Sequence, residues 1–314
     1  MKRLHVLGIS MTLAVAAAAL AAVVFHGCRA IESTGDALAG ATAGTPLSSV
    51  FSGTARLAES MRDYSPAEEH YIGRSVAAQI LARYKVHPDK KLHEYVNLVG
   101  LSVLAAPEPK KTLTGYHFIV LEGKEVQAVS TPGGFVFLTE GTIAKAKDED
   151  ELAAVLAHEI AHVSLNHGIG AISAATKKKS IALLMQGVGQ TGVAVAGASG
   201  DSQTKQLAEL AASFGDAIQD ITGELLEKGY SRDLEIEADK NAAKYLESSG
   251  YSRGALTAYL AVLEKEGEGG QGGWHATHPS PKDRIDTLQE EGLAGGTTAG
   301  RDVRRERFVV ALGE

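Results

Sequence analysis

The chain has 314 residues, 44% apolar and 22% charged, the composition of an ordinary globular protein with material for one sizeable domain or two small ones. Its formal charge of −7 excludes nucleic acid as the principal partner, because phosphate binding needs a basic face; the short basic runs 177–179 and 304–307 read as solvated surface. A single cysteine, Cys28, excludes any intramolecular disulfide.

Lys2 and Arg3 precede an apolar run over 4–25 that contains no acidic residue and ends at Gly27-Cys28, the pattern of an export leader. "VFHGC" resembles a bacterial lipobox, with Phe25 and His26 standing where a leucine and a small residue are usual. That resemblance makes 1–27 a lipoprotein-type signal peptide and Cys28 the lipidated first residue of the mature chain. The alternative is an uncleaved anchor, since the run is long enough to span a bilayer. Either reading exports the rest of the chain to the bacterial cell envelope and holds it at the periplasmic side of a membrane. Residues 28–60, rich in Ala, Gly, Ser and Thr, have the composition of a flexible tether. One folded domain is expected over 61–290, followed by a tail over 291–314.

"SPAEEHYIGRSVAAQILARY" offers Ser65 as N-cap, Pro66 at the first helical position and acidic residues in the first turn. A second helix, "KKLHEYVNLVGLSVLAA", stops at Pro107 and Pro109. "GYHFIVLEGKEVQAVSTPGGFVFLTEG" changes to β-branched and aromatic runs broken at Gly123 and at Pro132-Gly133-Gly134, which predicts two or three strands in a small sheet. "KDEDELAAVLAHEIAHVSLNHG" returns to helical periodicity, with Asp148 as N-cap, Glu151 completing a capping-box-like pair and Gly168 as C-terminal stop. The stretch 171–200 is weakly patterned and glycine-rich, and reads as partly helical and mobile. Helical periodicity resumes from 202 and leads into "SRDLEIEADKNAAKYLESSGY", capped by Ser231 and stopped by Gly250. One more helix is predicted over 252–266, before the glycine loop 267–273 and "WHATHPSPKDRIDTLQEE". The fold class is α+β, mostly helical, with a small β-sheet beside the helix that starts at Asp148.

That helix carries His158, Glu159 and His162. Residues four apart share a helix face, so the two histidines can present imidazoles to one ion while Glu159 lies beside it. This is the HExxH arrangement: neutral imidazoles hold zinc, and the adjacent carboxylate takes a proton from zinc-bound water and delivers it to the leaving amine. A solvent-facing polar stripe fits less well, because Leu152, Val155, Leu156, Ala161 and Val163 leave little polar face and predict a buried helix. Catalytic zinc usually takes three protein ligands. Glu235 and Asp239, four apart in "SRDLEIEAD", share a face while Glu237 points away. Glu235 is the candidate ligand, and Asp239 the acceptor that fixes a ligand histidine's tautomer. Spacing alone leaves open that Glu235 is a first-turn acid favoured by the helix dipole.

The ordered stretches "EEHYIGR", "VQAVSTPGGFVFLTEG", "DEDELAAVLAHEIAHVSLNHG", "YSRDLEIEAD" and "THPSPKDRI" together resemble one family. It is the membrane-associated HExxH zinc peptidases, or gluzincins, that include HtpX, the periplasmic BepA and LoiP proteases, mitochondrial Oma-type proteases and the CAAX prenyl proteases. The resemblance implies a zincin-type endopeptidase with one Zn2+ per chain, held by His158, His162 and Glu235, with Glu159 catalytic. "PGGFVFLTEG" looks like the family's edge strand, which would pair extended substrate along Gly134, Phe135, Val136, Phe137 and Leu138, although "VQAV" stands where the family more often has Asn-Ala-Phe. "THPSPKDRI" matches a loop whose histidine, His278 here, lies near the metal and in some members caps it. Its arginine, Arg284, steadies the site or polarises the substrate carbonyl, and glycines 267–273 would be the hinge that releases His278. His167 and His275 are read as surface or structural histidines. The expected partners are extended or unfolded polypeptides and the expected reaction is hydrolysis of misfolded or misassembled envelope proteins. The alternative is a chaperone-like envelope binding protein with a capped, non-proteolytic zinc. Nothing in the sequence sets the oligomeric state.

Overall fold

In a computed structural model of the chain, Ser65 caps helix α1 (Pro66–Arg83) as predicted. Its hydroxyl accepts from Glu68 N at 3.3 Å, and the Glu68 carboxylate accepts from Ser65 N at 2.9 Å, a complete capping box. Asp89 caps α2 (Lys90–Val103) by accepting from the main chain of Lys91 and Leu92. Strands β1 (His117–Leu121), β2 (Ala128–Thr131) and β3 (Phe135–Thr139) follow, then the short α3 (Glu140–Lys145) and the long α4 (Glu149–Ser164). Helices α5 (Arg232–Ser248), α6 (Gly254–Gly267), α7 (Pro281–Glu290) and α8 (Arg301–Leu312) complete an α+β, mostly helical unit with a three-stranded sheet, the class expected. The structure describes residues 64–171, 222, 223, 226, 229–267, 278, 281–297 and 299–313; the expected leader, Cys28, the tether, the stretch 172–200, the loop glycines 268–273 and His275 lie outside them.

The strand order β1-β3-β2 corrects one expectation. β3 is not an edge: it pairs parallel with β1 (His117↔Phe135) and antiparallel with β2 (Ala128↔Leu138). Phe135, Val136, Phe137 and Leu138 therefore have strands on both sides, and Gly134 sits in the preceding turn. The Pro132-Gly133-Gly134 turn folds β3 back onto β2, and the parallel pairing with β1 covers its other side. Gly134 has φ +100, and a Cβ there would lie 2.8 Å from the Gly115 carbonyl oxygen. β1 and β2 are the outer strands; the outer side of β1 is bridged to Val86 at Leu121, and β2 has no strand on its outer side among the described residues. Thr139 N donates to Gln127 O at 3.0 Å, so by antiparallel alternation the main-chain groups of Ala128 and Ser130 face away from β3. α1 is drawn onto this hairpin through Gly73, where a Cβ would come 1.6 Å from Pro132 O.

α4 is buried along 149–163, as its apolar composition predicts, with α2, α5, α6, α8, β2 and β3 packed around it. Asp148 caps it, accepting from Glu151 N at 3.0 Å. Glu151 returns a bond to Lys147 N at 2.9 Å, one residue before the cap, so the box is offset by one. The stop is not Gly168: α4 ends at Ser164, and Asn166 takes the left-handed φ of +61 that turns the chain. Asparagine is among the few residues that tolerate this conformation. Ser231 occupies the N-cap of α5 but its side chain makes no capping hydrogen bond.

The first turn of α4 is acidic and buried, with Asp148, Glu149, Asp150 and Glu151 all at most 5% exposed. Buried carboxylates need partners, and α8 supplies them from one face. Arg301 Nε donates to Asp148 at 2.7 Å, Arg304 grips both oxygens of Asp150, and Arg307 grips both of Glu149. Tyr95 and Tyr251 hydroxyls add bonds to Glu149 at 2.9 and 3.0 Å. Arg304 is thus not the solvated surface expected, whereas Arg307 is exposed as expected and still reaches Glu149; three-residue spacing from Arg301 puts all three guanidinium groups on one side of a helix. Among the described residues no helix is long and apolar enough to cross a membrane. Removing Arg304 strands the fully buried Asp150, so Arg304→Ala is expected to cost about 3 kcal/mol. The exposed neighbour should tolerate Arg305→Ala within about 0.5 kcal/mol; equilibrium denaturation of the two variants measures the difference.

Candidate metal centre

His158 and His162 lie one turn apart on α4 and point their Nε2 atoms at each other, 3.0 Å apart. The opposite ring nitrogens are both engaged. His158 Nδ1 is 2.8 Å from Asp239 Oδ1, and His162 Nδ1 is 2.8 Å from His167 Nδ1. A neutral imidazole has one donor and one acceptor nitrogen, so Nδ1–H donation leaves a lone pair on each Nε2. Two facing lone pairs repel unless a proton or a cation lies between them.

α5 brings Glu235 to the same point, Oε2 3.4 Å from His158 Nε2 and Oε1 3.4 Å from His162 Nε2. His278 places Nδ1 2.8 Å from Glu235 Oε2. The ligating atoms of His158, His162, Glu235 and His278 all lie within 4.8 Å of one another, and all four residues are buried. Glu159, next to the first histidine, has Oε1 4.0 Å from His278 Nε2. Among the described residues, Glu159 Oε1 and Glu235 Oε1 are buried with no hydrogen-bond donor, a costly state for carboxylate oxygens that a cation relieves. Imidazole nitrogens with one carboxylate are the donors zinc prefers, so this cluster fits that ion.

α7 contributes the counter-charge. Arg284, fully buried, donates Nε to Asp239 Oδ2 at 2.7 Å and Nη2 to Oδ1 at 2.6 Å, and its Nη1 lies 3.2 Å from Glu235 Oε2. A bidentate pair of this kind fixes the carboxylate's plane, so Asp239 meets His158 in one orientation. Arg284 thus steadies the site through Asp239 and Glu235. Burial and Arg284 both oppose a charge on His158, but hydrogen bonds to Asp239 and Glu235 and the charge of Asp239 outweigh them and push its pKa up to about 9. Burial dominates at His162 and, against its bond to Glu235, pushes its pKa down to about 3. Burial would raise Glu235, yet His278 and Arg284 hold it well below the usual carboxylate range.

The residues expected on α4, α5 and near α7 all converge: His158, Glu159, His162, Glu235, Asp239, His278 and Arg284. Gly134 and 135–138 do not; they form the turn and central strand, and β2 packs more closely against α4 than β3 does. Ser130, Thr131, Pro132 and Gly133 line a crevice with His162 and Tyr230. Gln127, in the altered "VQAV", accepts from the Tyr84 hydroxyl at 2.8 Å. Two participants were missed. The Tyr230 ring stacks on His162, centroids 4.2 Å apart and planes 16° apart; its only sequence signal is its place at the head of "YSRDLEIEAD". His167, taken for surface or structural, is 4% exposed and bonded to His162. It is five residues on, off the helix face, and comes back only because Asn166 leaves the helical conformation.

The sequence is similar to those of several known proteins. The chain is 25% identical over 224 residues to the beta-barrel assembly-enhancing protease of Escherichia coli, covering 70% of this chain and 43% of that one. It is 31% identical over 173 residues to the mitochondrial metalloendopeptidase OMA1 of Schizosaccharomyces pombe, 54% and 45% of the two chains. With the metalloprotease LoiP of Escherichia coli the identity is 25% over 207 residues, 66% and 71%. The chain spans about two fifths of the length of the assembly-enhancing proteases it matches. The profile of peptidase family M48, a family of zinc metallopeptidases, matches residues 87–292, from α2 through α7 and across every residue of the buried cluster. This chain belongs to peptidase family M48.

Proposed function

We propose that the protein is a zinc metalloendopeptidase of the bacterial cell envelope that cuts misfolded or misassembled proteins. One observation carries the reading: four buried ligating atoms within 4.8 Å of one another, with the Glu159 carboxylate beside them. His158, His162 and Glu235 would hold the zinc, which supplies a Lewis acid for the scissile carbonyl and lowers the pKa of attacking water. Glu159 does the proton work: its Oε1 has no donor of its own, so it is ready to accept the proton of the attacking water and return it to the leaving amine. Asp239 and Arg284 keep His158 aimed. An extended substrate would add beside β2, against the outward main-chain groups of Ala128 and Ser130, where the crevice reaches His162.

The envelope setting and the substrate class rest on the leader sequence, on the names of the relatives and on the tether composition. In this reading 1–27 is removed, Cys28 carries the lipid, 28–60 spaces the enzyme from the membrane, 61–290 is the protease domain, and 291–314 follows it. A second reading has one observation in its favour. With His278 in the cluster, four protein donors would be at hand for one zinc ion, as a capped, non-cutting binding protein would require.

Three measurements separate and test these. Glu159→Gln should keep one zinc per chain and lose at least about 100-fold in hydrolysis of unfolded casein. His278→Ala should raise that rate if the histidine is a removable cap; wild type that holds zinc yet never cuts casein, with His278→Ala equally inert, supports the binding protein instead. Asp239→Ala strands Arg284 and loosens His158, so zinc affinity by chelator competition should fall about 10- to 100-fold.

A further inference from the structure

His158 has a charged partner for its far nitrogen, but His162 does not: behind it stands His167, Nδ1 to Nδ1 at 2.8 Å. We propose that His167 is the positioning residue of the second ligand histidine, and that the charge of the Glu237 carboxylate at the protein surface holds the proton of His167 on its far nitrogen. The inference rests on the zinc reading above and extends it to residues outside the ligand set.

The direction of the bonds follows from valence. For His162 Nε2 to offer a lone pair to a metal, its proton must sit on Nδ1. That N–H then donates to His167 Nδ1, which must be an acceptor, and the proton of His167 is left on Nε2. The group facing that nitrogen is Glu237 Oε2, 3.5 Å away. The reverse assignment, with His167 Nδ1 donating, would put the His162 proton on Nε2 and turn it against the ion. Only one direction therefore lets His162 bind metal, and the half-exposed carboxylate 3.5 Å from His167 Nε2, close enough to act by its charge though not hydrogen-bonded to it, favours a proton on that nitrogen.

The surroundings hold this orientation. Asn166, whose left-handed turn delivers His167, is itself fixed by Lys110 Nζ, which donates to its side-chain oxygen at 2.7 Å while bound to Glu69. Tyr230 flanks both rings, stacked on His162 and tilted against His167 with centroids 5.7 Å apart. Glu237, turned away from the metal cluster as its place on α5 predicts, is thereby given a partner.

The test uses the full-length protein and zinc alone, with dissociation constants measured by chelator competition. His167→Phe keeps an aromatic ring and removes the acceptor, and should weaken zinc binding about 10- to 100-fold. His167→Asn restores an acceptor oxygen close to the lost Nδ1, and should recover affinity to within about threefold of wild type. Glu237→Ala should cost less than His167→Phe and add nothing in the His167→Phe background, since Glu237 acts through His167. His167→Phe binding zinc as tightly as wild type, or His167→Asn as weakly as His167→Phe, would overturn the role given to His167. Full additivity of Glu237→Ala would overturn the role given to Glu237. A wild-type chain that takes up no stoichiometric zinc would instead overturn the metal reading itself.

Discussion

A helix surrounded by protein on every side can carry charge only where each charged group meets an answering one. α4 is such a helix, and it carries charge at both ends: four acids in its first turn, and two histidines with a glutamate in its last two. The rest of the fold is arranged around meeting that demand. α5 supplies Glu235 and Asp239, α7 supplies Arg284, α8 supplies three arginines, and α2 supplies Tyr95. The apolar core locates these helices; the polar contacts decide which residue faces which.

The two ends are answered in different ways. At the N-terminal end the acids are saturated: Asp150 accepts from Arg304 and from Ser252 N, and Glu149 from Arg307, Tyr95 and Tyr251. Nothing there is left to bind a ligand, and the acids sit where the helix dipole already favours negative charge. At the other end, Glu159 Oε1 and Glu235 Oε1 keep unanswered lone pairs and two imidazole Nε2 atoms face one another. Local saturation against local deficit is what distinguishes the structural cluster from the chemical one, although both are rows of buried ionisable groups on one helix.

That contrast explains what could be read from the amino-acid sequence. Features set within one turn of helix were legible: Ser65 and Pro66 opening α1, Asp148 opening α4, His158 and His162 sharing a face, Glu235 and Asp239 sharing another. Features set by pairing across the chain were not. The parallel pairing of β1 with β3 joins segments that carry no mark of each other, so β3 read as an edge. Arg301, Arg304 and Arg307 look like surface charge until α8 lies against α4, some 150 residues earlier in the chain. His167 needed a single left-handed asparagine to bring it behind His162, and spacing rules for helices stop where the helix does. Family resemblance repaired part of this gap, since it supplied His278 and Arg284 where spacing offered no reason to choose them, and it misdirected the choice of edge strand.

His158 and His162 are backed unequally, and the inequality has a chemical meaning for the ion they would hold. Behind His158 lies an anion locked to a guanidinium, so the proton on Nδ1 is held strongly and that ring is the electron-rich ligand. Behind His162 lies a second imidazole, a weaker acceptor, whose own carboxylate is half in water. His158 is thereby the rigid anchor of the site, buried under charges that cannot reorganise without uncovering Arg284. His162 faces the crevice, the Tyr230 ring and the end of β2, where a substrate would have to enter. Under the proposed function, a site that must hold its ion through repeated substrate passage would be better served by strength on the closed side and adjustability on the open one. The fold draws the closed side's partners from α5 and α7 and the open side's from a turn after α4.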